Sequence, residues 1–378
     1  MEILVLTVAK AYLQNRKSHK EMLKETISKP LTLVVQRDSQ LTLKFVGYWL
    51  LICCFMVGGM ILLGGATRLT GSGLSIVDWK PLTGFFPPTS QVEWETLFAT
   101  YKTSPEFMKI NFWMTTDDFK SIYWLEYLHR LWGRLIGLVF LLPYLWIVIR
   151  RKIPFLLSLK LGGLFSLICL QGIIGWYMVK SGLVDEPFVS QYRLALHLGL
   201  AFLIFGLLFW FAINFLTPRR HKTRSVWLRS GSLVILYCTF ITIISGAFVA
   251  GLDAGLTYNT FPLMDGQWVP AGILVMSPWW VNLFENTAAV QFTHRLIAIG
   301  TVTLTILFWI LASREILDVG VSRAINSLTI LVICQLGLGI ATLLTEVEIL
   351  LALLHQFGAL SIFTASIWVK YQLGIQIE

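Results

Sequence analysis

Eight predominantly apolar stretches of about 20 residues each dominate this chain, near 45–66, 131–149, 161–179, 194–216, 233–252, 292–312, 325–344 and 349–369. A helix rises 1.5 Å per residue, so each stretch is long enough to cross a hydrocarbon layer about 30 Å thick. Any conformation other than helix would leave their amides unpaired in lipid. The expected fold is an all-α membrane protein with eight transmembrane helices. Only 13% of the 378 residues are charged, which excludes an ordinary soluble domain.

The net charge of +9 does not point to nucleic acid, because the basic residues lie in short blocks between apolar runs. Of 30 Lys and Arg, 20 fall on the face that holds the N-terminus and 10 on the other, whereas the 21 acids divide 7 and 14. The positive-inside rule then puts both termini on the cytoplasmic side, or in the matrix for an organelle, and the long loop at 67–125 outside. Residues 1–44 are mixed in charge and read as a cytoplasmic tail, unlike a cleaved signal or an acid-poor transit peptide. A bacterial inner membrane is the expected location, with the mitochondrial inner membrane its counterpart in a eukaryote. The five cysteines all sit inside apolar runs, so they predict no disulfide framework.

The second half echoes the first. Residues 126–138 align with 291–303, Gln171 and Gly175 recur as Gln335 and Gly339, and His197 recurs as His355. The glycine-rich exit of the first span, GGATRLTGSGLS (64–75), recurs 182 residues later as GAFVAGLDAGLT (246–257). Two tandem four-helix bundles are expected, at 45–216 and 233–370, related by a pseudo-twofold axis along the membrane normal. A basic linker at 217–232 joins them, and 371–378 forms a short tail.

Of six histidines, four fall one apiece near the outer ends of spans 2, 4, 6 and 8: His129, His197, His294 and His355. A single intramembrane histidine is usually a hydrogen-bonded contact between helices. Four at one depth, two per repeat, suit another task. Neutral imidazoles can enter an apolar interior, and two that face each other can take both axial positions of a haem iron. Arg130, Arg134 and Arg295 lie beside these histidines, and Arg68 closes the first span. They are candidate contacts for haem propionates, snorkelling to headgroups being the other reading. A di-iron site needs two Glu-x-x-His motifs and two further Glu, and zinc or copper needs three or four convergent ligands, so haem fits best.

Glu126 is replaced by Gln291 in the second repeat. A carboxyl group can move a proton or stabilise a developing cation, and an amide can do neither, which points to chemistry in the first bundle. Pairing with Arg130 at i+4 is the alternative role for Glu126. The long first loop carries Trp79, Phe85, Phe86 and Trp94, which suit a lid or docking surface, or equally an interfacial aromatic belt.

Taken together, GGATRLTGSGLSIVDWKPLTGFFPP (64–88), EYLHRLWGR (126–134), Gln171, His197, QFTHR (291–295) and His355 resemble the haem A synthase family over about 45–370. The resemblance implies oxidation of the C8 methyl of haem O to the formyl group of haem A, for cytochrome c oxidase. It implies His129 and His197 on substrate haem O, His294 and His355 on a haem B cofactor, and Glu126 as the acid of the reaction. Implied partners are a ferredoxin-type electron donor, the haem O synthase that supplies substrate, and a second copy of the chain in a homo-oligomer. The loop cysteine pair of some bacterial members is absent from 67–125, as in the mitochondrial and proteobacterial branch. A di-haem b-type cytochrome that only conducts electrons is the alternative. Such proteins often stack two haems across the membrane, whereas here all four histidines share one level. A two-repeat transporter would want ionisable groups or broken helices at the midplane, which the spans do not show.

Overall fold

A computed structural model describes residues 40–80, 83–217 and 225–374, which hold eleven α-helices and no strand. They are α1 (Gln40–Leu69), α2 (Gln91–Tyr101), α3 (Pro105–Lys109), α4 (Thr116–Ile149), α5 (Phe155–Lys180) and α6 (Gln191–Leu216). There follow α7 (Val226–Gly251), α8 (Asn282–Glu285), α9 (Thr287–Ala312), α10 (Val319–Leu344) and α11 (Ile349–Gln372). Eight of these, all but α2, α3 and α8, are long and apolar enough to cross a membrane. At 1.5 Å per residue, their 24 to 34 residues reach about 36 to 51 Å. The expected tail at 1–44 lies mostly outside the described residues, as do 375–378 and the core of the basic linker.

The long helices bury their apolar residues in two main clusters. One joins Leu50, Cys53, Val57, Phe140, Leu161, Phe202 and Leu208 from the first four spans to Leu360 and Phe363 of α11. The other joins Leu228, Ile235, Phe308, Ala324, Leu328 and Val369 from the last four. α11 contributes to both, so it ties the halves together, and Gln356 on it donates to the Ile61 carbonyl of α1 at 2.8 Å. Half of the most apolar window of α1 is buried against 11% for α5, which makes α1 central and α5 peripheral. Ile52, Phe55, Leu142, Ile173, Leu203 and Ile330 point outward, a surface that only lipid can solvate without penalty.

The expected second span began at 131, but α4 starts fifteen residues earlier, at Thr116. Thr115 and Asp118 form a capping box there, and Phe119, Ile122, Tyr123 and Tyr127 bury against Trp94, Phe98 and Tyr101 of α2. The extension is amphipathic and covered by the loop's own aromatic core, so it lacks the uniform apolarity of a span. The loop between α1 and α4 is thus a small folded cap over the first turns of α4. Lys109 at its far end bonds Glu186 at 2.6 Å in the α5–α6 turn.

Candidate functional site

The four histidines lie near the same end of the helices, on α4, α6, α9 and α11. Each packs against a glycine on the preceding long helix: His129 on Gly64, His197 on Gly175, His294 on Gly246 and His355 on Gly339. A methyl group added at those glycines would stand 3.1, 2.9, 3.2 and 2.9 Å from the imidazole Cε1, tighter than side chains ordinarily pack. The sequence supplies glycine there because each ring occupies the space of a β-carbon. These are the glycines that recur between halves, and their contact with the histidines is what sequence reasoning missed.

His129 lies within electrostatic reach of His197, and His294 within that of His355. All four are half-buried, and Nδ1 of His129 and of His355 is buried with no hydrogen-bond partner among the described residues. His294 Nδ1 instead meets Ser245 Oγ at 2.8 Å. Gln171 donates to the His197 carbonyl at 3.0 Å and Gln335 to the His355 carbonyl at 2.8 Å, which fastens α5 to α6 and α10 to α11 beside the rings. Four imidazoles on glycine seats inside apolar helices, two of them with an unpartnered Nδ1, fit the donor set of a bis-histidine haem.

Glu126, one turn before His129, is 3% exposed and receives four hydrogen bonds. Ser75 Oγ and the Ile76 amide each donate to Oε2 at 2.7 Å, while Arg130 reaches Oε1 through Nε at 3.0 Å and Nη2 at 2.7 Å. Every partner is a donor, the set that an acceptor-only carboxylate satisfies completely. Gln291 holds the matching place on α9, equally buried. Its Oε1 accepts from Arg295 at 3.0 Å, but its amide donates to the carbonyls of Ala254 at 2.7 Å and Tyr258 at 3.2 Å. Both pairs clamp the chain just after an odd-numbered span to the histidine helix.

The arginines proposed for propionates already hold protein groups. Arg130 Nη2 donates to the Ile76 carbonyl at 2.6 Å, and Arg295 Nη2 to the matching Tyr258 carbonyl at 3.0 Å. Arg134 donates to the Lys80 carbonyl at 2.9 Å and lies over Phe85. Arg68 pairs with Asp253 at 2.9 Å and bonds the Ala250 carbonyl, so it bridges the two halves. Arg295 Nε is buried without a partner among the described residues and remains available to an anion.

Of the loop aromatics, Trp94 is buried on α4, Trp79 packs beside Trp176 of α5, and Phe86 is 87% exposed. Tyr127 donates to the Phe85 carbonyl at 2.6 Å, which lays the loop along α4. Within the cap, Asn111 donates to the Tyr101 hydroxyl at 2.8 Å and Tyr101 to Glu106 Oε2 at 2.9 Å. Burial pushes the Glu106 carboxyl up to about 7. The Tyr101 hydrogen bond opposes that rise, and the charge of Glu126 adds to it.

Eight apolar spans, four glycine-seated histidines and one fully bonded acid define a multi-pass helical membrane protein whose donor set suits haem. Its sequence matches the profile of the COX15-CtaA family, described as cytochrome oxidase assembly protein, over residues 47–367. A heme A synthase of Nitrosospira multiformis is 48% identical over 337 residues, covering 88% of this chain and 94% of that protein. The human heme A synthase COX15 is 43% identical over 353 residues, 90% of this chain and 85% of its own length. The mouse protein of the same name is 44% identical over a similar extent. The chain belongs to the COX15-CtaA family.

Proposed function

We propose that this membrane enzyme of haem A biosynthesis oxidises the C8 methyl group of haem O to the formyl group of haem A. The observation that carries the reading is the glycine seat under each of four histidines, with a buried carboxylate one turn before His129 and an amide one turn before His294. In this reading His129 and His197 hold substrate haem O in the first half, and His294 and His355 hold haem B in the second. When bound, haem B would supply a one-electron relay, passing electrons from a ferredoxin-type donor to an external oxidant such as O₂, for an oxidation that side-chain acids and bases cannot drive alone.

The protein's own groups orient and neutralise. Gly64 and Gly175 let the first pair of rings sit deep between helices, and Gln171 holds the α6 backbone at His197. Glu126 is the acid-base group and the negative charge nearest the reacting end. To take up a proton it must release a hydrogen bond from Ser75 or Arg130, so proton transfer is coupled to the loop at 75–76. Arg295, Arg134, Arg130 and Arg68 mark the propionate side, with Arg295 Nε the donor best placed to accept one. The histidine end faces outward, both termini face the cytoplasm, and haem O arrives from its synthase through the bilayer.

Purified protein supplied with haem O, a reduced ferredoxin-type donor and O₂ tests this. The parent converts it to haem A, whereas Glu126→Ala binds haem at parental stoichiometry and yields no formyl product. A Glu126→Ala enzyme that still forms haem A, or a parent that carries only haem B and oxidises quinol, contradicts the proposal.

A further inference from the structure

The rings of His294 and His129 occupy matching positions in the two halves, yet their surroundings also differ at Nδ1. On α7, Ser245 Oγ donates to the Thr242 carbonyl at 2.8 Å. With the hydroxyl hydrogen on that carbonyl, the Ser245 oxygen is free to accept from His294 Nδ1, 2.8 Å away. That arrangement suits a ring protonated at Nδ1 with its lone pair on Nε2, the tautomer that a metal ligand needs. The polar contacts continue one turn further in, where Thr242 Oγ1 lies 2.9 Å from Thr301 Oγ1 of α9.

The first half has none of these hydroxyls. By the 182-residue offset that aligns Gly64 with Gly246, Leu63 stands at the position of Ser245 and Met60 at that of Thr242. By the 165-residue offset that aligns the histidines, Ile136 stands at the position of Thr301. His129 Nδ1 is accordingly buried and without a partner among the described residues. Nothing there chooses its tautomer or strengthens its lone pair.

A ligating imidazole that donates its far N–H to an oxygen is a stronger and better oriented donor, and loss of such a partner typically weakens metal binding about ten- to a hundredfold. We propose that Ser245 is a positioning residue that makes His294 a firmly held axial ligand, and that Leu63 at the matching site leaves His129 a readily released one. The inference rests on reading both histidines as axial ligands. It gives a physical reason why one half keeps its haem as a cofactor while the other lets its haem go as a product.

The test follows haem release from the full-length protein in detergent, loaded with haem B in both halves, to excess apomyoglobin. The parent should release haem in a fast and a slow phase, with His294→Ala abolishing the slow one. Ser245→Ala should speed the slow phase roughly tenfold and raise that haem's midpoint potential, since weaker donation favours the ferrous state. Ser245→Thr, which keeps the hydroxyl, should restore both. Leu63→Ser should slow the fast phase, and it decides the matter if Ser245→Ala protein cannot be recovered. If Ser245→Ala leaves the slow phase and the potential unchanged while His294→Ala still abolishes that phase, the role of Ser245 is refuted and the ligand assignment stands. Both phases surviving His294→Ala would refute the ligand assignment itself.

Discussion

The clamp beside His129 and the clamp beside His294 are built on the same plan with opposite polarity. In the first half, the chain after α1 offers donors, the Ser75 hydroxyl and the Ile76 amide, and α4 answers with Glu126. In the second half, the chain after α7 turns carbonyls of Ala254 and Tyr258 towards α9, which answers with the amide of Gln291. The arginine that follows each histidine is common to both, and so is the carbonyl it grips, Ile76 in one and Tyr258 in the other. The exchange of glutamate for glutamine is therefore not an isolated change. Each residue is matched to the polarity of its loop, and a carboxylate is tolerated only where the backbone presents N–H groups to it.

The sharpest way to break this comparison is to swap the residues. Gln291→Glu would set a buried carboxylate against two carbonyl oxygens, with Arg295 alone to offset it. A cost of about 3 kcal/mol is expected, read as a lower unfolding midpoint and lost pigment in detergent. The reverse swap is milder in stability. Glu126→Gln keeps an acceptor for Arg130, but its amide faces the Ile76 N–H, and a loss of about 1–2 kcal/mol is expected from that unmade bond. Its larger consequence falls on turnover, because an amide cannot take a proton. Should Gln291→Glu prove as stable as the parent, the polarity argument fails.

The glycine seats sharpen the comparison from another side. Gly175→Ala and Gly339→Ala would place Cβ 2.9 Å from an imidazole, and Gly64→Ala and Gly246→Ala 3.1 and 3.2 Å. Haem content measured by absorbance should fall in all four, most in the first two, while the helices themselves should gain slightly from alanine. Unchanged spectra would show that the rings do not need the seats.

The smallest effect concerns the cap. The carboxyl of Glu106, raised from 4.5 to about 7, stays protonated when folded over a range in which the unfolded chain has already ionised. Across that range the unfolded state binds fewer protons, so the cap's stability falls as pH rises from about 4.5 to 7 and then levels off. Hydrogen exchange of residues 91–111 against pH should show this slope, and Glu106→Gln should flatten it. A parental slope of the opposite sign would contradict the burial of Glu106.

Much of this was legible in the sequence because the bilayer leaves a chain few choices. Apolar runs of span length must be helices, and four histidines at one depth in a duplicated sequence must be explained together. The start of α4 was not legible, since its first turns are covered by α2 and read as an ordinary amphipathic segment. Glu126 and Arg130 were visible as an i+4 pair, but the donors at 75–76 come from a loop some fifty residues away, a contact that local pattern cannot reveal. The same holds for Ser245 on His294. The glycines were visible as recurrences without a reason, and the reason lies on a neighbouring helix. The arginines were legible as cations beside the histidines, but not the carbonyls of this chain that Arg130, Arg134 and Arg295 also grip.

The central claim is that His129 with His197, and His294 with His355, grip one haem each. Haem per chain, counted alongside the low-spin signal for the parent and the four single His→Ala variants, tests it most directly. Two low-spin haems are expected in the fully loaded parent, and in each variant the loss of that signal from one haem while the other is untouched. A variant that retains both low-spin centres, or one substitution that removes both from an otherwise folded protein, would contradict it.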